Sequence, residues 1–273
     1  MSLDFKEFDS SNKVKGVIKS FFVINYADEE ERKDFLLPNG TPSFFIIQTA
    51  SGVEISMMDS KNSQLLDEGI YIGYISNLVE YSHKKIRVIG ASLYPMYMFL
   101  LFGITPKQLM NKFIKLEQFP ELSLLQEVFQ MEDLTETEIL ALIEQFVEAR
   151  LKANAIREDL LDLFKRLTGP DGYKISVEQM ASDMGFTRRH ISDLFNKYFG
   201  MSPKQFVKLS RFNQGLNLIT EMQSGDTYAS IAQQLGYHDQ AHFIRDFKSI
   251  CGKTPSELKT LPESLAYQFR YFK

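Results

Sequence analysis

The 273-residue chain has a single cysteine, Cys251. One thiol cannot form an intrachain disulfide, so burial alone must hold the fold, and a reducing compartment fits. Histidine is scarce: there are four, and residues 1–150 contain only His83. That is too few for the multi-histidine ligand sets of metal-dependent barrel enzymes, so no metal or other cofactor is expected. No apolar run approaches the ~20 residues of a membrane span; the longest lies near Leu93–Ile104. Met1-Ser2-Leu3-Asp4 opens no basic-then-apolar leader, and a cytoplasmic location is expected. Catalytic signatures are missing too. Gly252-Lys253-Thr254 looks like the end of a phosphate loop, but the required earlier glycine is Phe247. No Gly-x-Gly-x-x-Gly, His-Glu-x-x-His or Gly-x-Ser-x-Gly occurs, and a non-enzymatic role is expected.

What is present is a core-forming composition, 44% hydrophobic and 24% charged, on a chain long enough for two domains. The net charge of -4 conceals an asymmetry. Residues 1–150 hold 14 Lys and Arg against 22 Asp and Glu, and residues 151–273 hold 17 against 13. An acidic half joined to a basic half implies that only the second meets a polyanion.

The first half reads as β structure. Phe21–Ile24, Phe35–Leu37, Phe44–Gln48, Val53–Met57, Ile70–Ile75 and Arg87–Leu93 are strand candidates separated by turn residues. Pro38-Asn39-Gly40 is one such turn. Ala50-Ser51-Gly52 is expected to join its flanking strands as a hairpin. Strands so spaced suggest a small barrel or sandwich. Helices are expected from Met96 to Phe102, from Thr105 through a Thr–Gln capping box, and from Thr135 to about Arg166 in two pieces, before a break at 168–172.

The second half contains a repeat. Val177-Glu-Gln-Met-Ala181-Ser-Asp-Met184-Gly185-Phe186 matches Tyr228-Ala-Ser-Ile-Ala232-Gln-Gln-Leu235-Gly236-Tyr237, 51 positions on. Beyond the turn the match resumes at a spacing of 52: Phe195 with Phe247, Gly200 with Gly252, Pro203 with Pro255. Each copy has a short helix with a small Ala at a close crossing, a Gly that ends it, an aromatic plug and a second amphipathic helix. That is the helix-turn-helix plan. Ser176 (boxed with Gln179), Thr187 and Asp239 are expected N-caps, with Ser202–Gln205 and Thr254–Glu257 opening equivalent closing helices. Lys208–Met222 reads as a connecting helix burying Phe212, Leu216 and Ile219.

These residues resemble the AraC/XylS family of bacterial transcription regulators over about 100 positions. The second copy carries the resemblance most specifically, in Ile231-Ala232, Gly236-Tyr237, Asp239-Gln240, Phe243, Phe247-Lys248, Gly252 and Thr254-Pro255-Ser256. More loosely, 35–40 and 91–103 are similar to the cupin-like barrel that many family members carry. The resemblance implies two domains. Residues 1–150 would form a β-rich, cupin-like barrel or sandwich with accompanying helices, as a sensor or assembly domain. Residues 151–273 would form an all-α tandem helix-turn-helix domain binding double-stranded DNA in two adjacent half-turns of major groove. RNA polymerase and a small-molecule effector would be further partners, and no membrane is expected.

The reading helix of the first copy would present Arg188, Arg189, Ser192, Asp193 and Asn196, with Lys197 and Lys204 toward phosphates. The second would present Gln240, Ala241, His242 and Arg245. The family places base contacts at positions matching Arg189, Ser192, Asp193, Gln240, Ala241 and Arg245. Asp193 departs from the basic or amide residue usual there, and it accepts only from cytosine N4. His190 and His242 occupy corresponding places and read as surface or phosphate contacts rather than metal ligands. His83 reads as structural or exposed, and Cys251 as a small packing residue. Three whole-protein readings remain: a ligand-responsive regulator, a DNA-binding factor whose N-terminal half serves only dimer or protein contacts, and an enzyme fused to a DNA-binding module. The apolar stripe of 135–151 serves either a homodimer or the chain's own barrel, and the aromatic tail 263–273 packs on either domain.

Overall fold

A computed structural model describes residues 4–57, 63–123, 125, 134–153, 158–169 and 171–259. The aromatic tail lies outside them. Ten strands are present among the described residues: β1 (Asp4–Phe8), β2 (Ile18–Tyr26), β3 (Arg32–Leu36), β4 (Ser43–Thr49), β5 (Val53–Met57), β6 (Ser63–Leu66), β7 (Gly69–Tyr74), β8 (Val79–His83), β9 (Ile86–Leu93) and β10 (Lys112–Lys115). They pair antiparallel in two sheets, ordered β1-β2-β9-β4-β7-β10 and β3-β8-β5-β6. The hairpin expected across 50–52 does not form. β4 pairs with β7 and β9, whereas β5 pairs with β6 and β8 in the other sheet. The turn is a corner between layers, a distinction that local turn chemistry cannot carry.

The two sheets differ in pattern for a physical reason. In β5 and β8 only alternate residues are buried: Val53 and Ile55 in one, Val79, Tyr81 and His83 in the other. β4 and β2 are apolar on both faces. Phe44 and Ile46 join the core against the helices, while Phe45 and Ile47 face the second sheet. Val23 and Phe22 divide the same way. A strand buried on both sides reads as a continuous apolar run, which is how these segments look in sequence. Each such side chain contributes roughly 1.5–3 kcal/mol on burial.

The helices follow: α1 (Met96–Phe102), α2 (Pro106–Leu109), α3 (Glu136–Ala153), α4 (Glu158–Thr168), α5 (Val177–Met184), α6 (Arg188–Tyr198), α7 (Pro203–Thr220), α8 (Tyr228–Gln234), α9 (Gln240–Cys251) and α10 (Pro255–Lys259). The apolar stripe of α3, with Ile139, Ile143, Phe146 and Val147, is buried within the chain. Phe146 stacks on Phe102 at 5.7 Å, and Glu136 pairs with Arg87 of β9 at 3.0 Å. This stripe therefore packs on the chain's own six-stranded sheet and α1.

One hydrophobic core runs from the six-stranded sheet through α1 and α3 into α6, α7 and α9. The seam between the halves is tight. Tyr74 Oη donates to the Phe199 carbonyl at 3.2 Å, and Phe99 meets Tyr198 edge-on at 5.5 Å. Gly200 has φ +71°, and a Cβ there would come within 2.5 Å of the Lys107 nitrogen. Gly200→Ala is expected to lose about 1–2 kcal/mol from the left-handed backbone alone, and more because backbone cannot yield. A thermal melt of the full chain checks this; an unchanged midpoint would show the seam to be loose.

Candidate nucleic-acid interface

The two copies fold alike down to individual hydrogen bonds. α5 ends where Phe186 N donates to the Ala181 carbonyl at 2.9 Å and Gly185 N to Ser182 at 3.2 Å. α8 ends the same way, through Tyr237 N to Ala232 at 2.9 Å and Gly236 N to Gln233 at 3.0 Å. Both pairs form the 6→1, 5→2 Schellman ending, and each needs a left-handed residue, here glycine at φ +64° and +76°. The change of spacing from 51 to 52 now has a cause. Thr187 caps α6 directly after Phe186, but His238 intervenes between Tyr237 and the α9 cap, Asp239.

The caps hold as expected. Thr187 Oγ1 accepts from His190 N at 3.2 Å, and Asp239 Oδ1 from His242 N at 2.7 Å. That N–H, then His238, holds the Asp239 carboxyl below the usual carboxylate range. Ser176 accepts from Gln179 N, but the Gln179 side chain turns to Asp183, so the expected box is half made. Ser202–Gln205 and Thr254–Glu257 both make reciprocal bonds. A capping box at Thr227–Ser230 escaped the sequence reading, although Thr227 stands directly before the repeat. The connecting helix also starts earlier than expected. Closing helix and connector are one, α7, whose 18 residues span about 27 Å.

Equivalent side chains plug the two copies: Ile191 with Phe243, Phe195 with Phe247, Phe199 with Cys251, all buried. Burial pushes the Cys251 thiol up to about 11, and Sγ lies 3.2 Å from the Lys253 carbonyl, so it is a packing group. The opposite faces are open. Arg188, Arg189, Asp193, Asn196 and Lys197 are exposed on α6, as are Gln240, Ala241, His242 and Arg245 on α9. Ser192 is half-buried, and its hydroxyl donates to the Arg188 carbonyl at 3.0 Å. Arg188 pairs with Glu178 at 3.2 Å. His190 and His242 pack edge-on against the turn aromatics Phe186 and Tyr237, at 4.4 and 5.1 Å.

Lys197 also makes a contact that no local pattern announces. Its Nζ sits 4.4 Å from the centre of the Phe99 ring of α1, a cation–π contact across the seam. The second copy is clamped to α7 by Lys208–Asp246 at 3.1 Å and by Arg211 over Tyr237 at 5.5 Å. Burial, then Asp246, pushes the Tyr237 hydroxyl up to about 12. His83 is structural: buried on β8, it lies 3.0 Å from Asp34, which also accepts from Arg32 at 2.8 Å. Neither Asp34 nor His83 lines the apolar cavity between the two sheets.

Residues 180–260 match the family model described as a helix-turn-helix domain. The F1 operon positive regulatory protein of Yersinia pestis is 27% identical over 120 residues, covering 44% of this chain and 33% of that protein. The lactose operon transcription activator of Staphylococcus xylosus is 32% identical over 73 residues, 27% of this chain and 25% of that one. The chain thus spans about a quarter to a third of the length of these relatives. Among solved structures, ToxT from Vibrio cholerae O395 aligns over 87% of this chain and 95% of its own, at 14% identity and a TM-score of 0.44. An AraC-type regulator from Chromobacterium violaceum aligns over 30% and 72%, at 25% identity and a TM-score of 0.28. With the duplicated caps, turns and plugs described above, the match makes residues 180–260 a helix-turn-helix domain.

Proposed function

We propose that this chain is a sequence-specific DNA-binding transcription regulator. Residues 151–273 would read the duplex, and residues 1–150 would respond to a small molecule. The observation that carries the reading is the pair of second helices, α6 and α9. Each is plugged from behind by aromatics and bears exposed donors on its outer face. Arg189 and Arg245 suit guanine, Asn196 and Gln240 suit adenine, and Ala241 suits a thymine methyl. Asp193 stands where the second copy has Arg245, so the two half-sites would differ in sequence. The names of the two bacterial relatives, a positive regulatory protein and an activator, favour activation, with RNA polymerase as the partner.

The sensor role rests on a cavity of about 160 Å³ between the sheets, mostly apolar. A core filled solid would have favoured a purely structural N-terminal half.

Selecting bound sites from random duplex tests the DNA reading. A conserved bipartite site is expected; enrichment of no sequence would defeat it. Lys197→Ala should weaken binding alike on selected and random duplexes and reduce the salt slope by about one. Titrations at several salt concentrations check this, and an unchanged slope would leave Lys197 to the Phe99 ring alone.

A further inference from the structure

The cavity between the sheets has few polar residues in its lining. Its walls are side chains such as Phe22, Phe45, Ile55 and Phe113, and no Lys, Arg, His, Asp or Glu lines it. Asn39, Thr41, Ser43, Ser92 and Tyr81 bring the polar side chains of the lining. Ser43 and Ser92 share a hydrogen bond at 2.9 Å, and Asn39 Oδ1 accepts from Thr41 N at 3.0 Å. Thr41 is different: the residue is 6% exposed, yet its Oγ1 is buried with no hydrogen-bond partner. A buried hydroxyl left unpaired costs about 1–3 kcal/mol, and because Oγ1 has essentially no open surface, a partner reaches it only when the loop that carries Thr41 shifts.

The same loop reaches the other domain. Residues 37–42 join β3 to β4 and pass between the cavity and α7. The Asn39 carbonyl accepts from Asn213 Nδ2 at 3.2 Å, and Gly40 abuts Leu209, whose Cδ2 would lie 3.1 Å from a Cβ there. Both contacts fall on the helix that ties the two reading units together. Just before the loop, Phe35 carries Lys253, which follows α9, at 5.8 Å from its ring centre. Alternate residues thus face opposite ways: Asn39 and Thr41 line the cavity, while Gly40 touches the DNA-binding half.

We infer that the cavity takes a small, uncharged, largely apolar molecule whose single hydrogen-bonding group meets Thr41, and that loop 37–42 reports its presence to α7. This rests on the sensor reading above and names its ligand class and its route. The volume suits one aromatic ring or a short alkyl chain. A carboxylate or ammonium is disfavoured, because the site offers no counter-charge to offset desolvation. Binding at Thr41 would move a loop already packed on Leu209 and Asn213, and so bias how α7 sets the two reading helices.

The test uses the full chain with p-cresol, benzyl alcohol and 1-hexanol as neutral probes, and toluene and benzoate as controls. Calorimetry should show at least one neutral alcohol or phenol binding, toluene more weakly, and benzoate not at all. Thr41→Val should reduce that affinity about tenfold, and Thr41→Ser should restore it. The bound probe should shift affinity for a selected duplex, and Asn213→Ala should keep probe binding while losing most of that shift. Three results would overturn the inference: no neutral probe binding at millimolar concentration, equal binding by Thr41→Val, or stronger binding by benzoate. A shift that survives in Asn213→Ala would refute the route. Probe binding without any duplex binding would instead defeat the DNA reading and leave the ligand class standing.

Discussion

Phe247→Ala is expected to remove about 3–5 kcal/mol of stability and, with it, recognition of one half of the bipartite site. Phe247 is 1% exposed at the centre of α9. Its ring lies 4.7 Å from Phe212 of α7 and 5.7 Å from Phe243 of the same helix. Truncation leaves a void where α9 leans on the connector, in a packed cluster that cannot collapse around it. Because the plug sits behind the exposed face, the loss reaches DNA without touching a contact residue. Differential scanning calorimetry with footprinting checks both consequences. Protection retained over both halves of the site, with a midpoint near that of wild type, would show that α9 is held by something other than this cluster.

Arg245→Ala has the next largest expected effect: a loss of about 1–3 kcal/mol on the selected duplex, roughly 5- to 150-fold, with little change on random duplex. Arg245 is exposed on α9, one turn beyond Ala241, and its substitution disturbs no buried group. The cost should concentrate at one base pair, and substitution of that pair should abolish the difference between variant and wild type. Equal losses on selected and random duplexes would reassign Arg245 to the phosphates. Lys197 provides the contrast, since its expected loss is uniform.

The C-terminal half was legible because its determinants are local. A left-handed glycine, a capping hydroxyl and an aromatic plug lie within ten residues of one another, and their recurrence sets them apart from chance. Even the slip in spacing corresponds to one inserted residue, His238. The N-terminal half was less legible. Strands buried on both faces, such as β4, stand out, but the exposed β1 and the short β6 and β10 carry too little apolar signal. β8 alternates like β5 yet went unread beside Ser82 and His83. Which strands pair is non-local, and the turn at 50–52 misled for that reason. Pro38-Asn39-Gly40 was visible as a turn. Its double contact, with a cavity on one side and Leu209 on the other, depends on residues about 170 positions away. Lys197 was placed correctly on its helix, but the Phe99 ring beneath it belongs to the other half.

The shared core has a consequence for exchange of parts between relatives. A helical half cut away at residue 151 would lose the Phe99 ring from Tyr198, the Tyr74 hydroxyl from the Phe199 carbonyl and Gly40 from Leu209, and a foreign N-terminal half would have to supply stand-ins for Phe99, Tyr74 and Gly40. Grafting here is a matter of matching two cut surfaces, so chimaeras that transplant only the tandem helices should precipitate unless those three residues are recast with the graft.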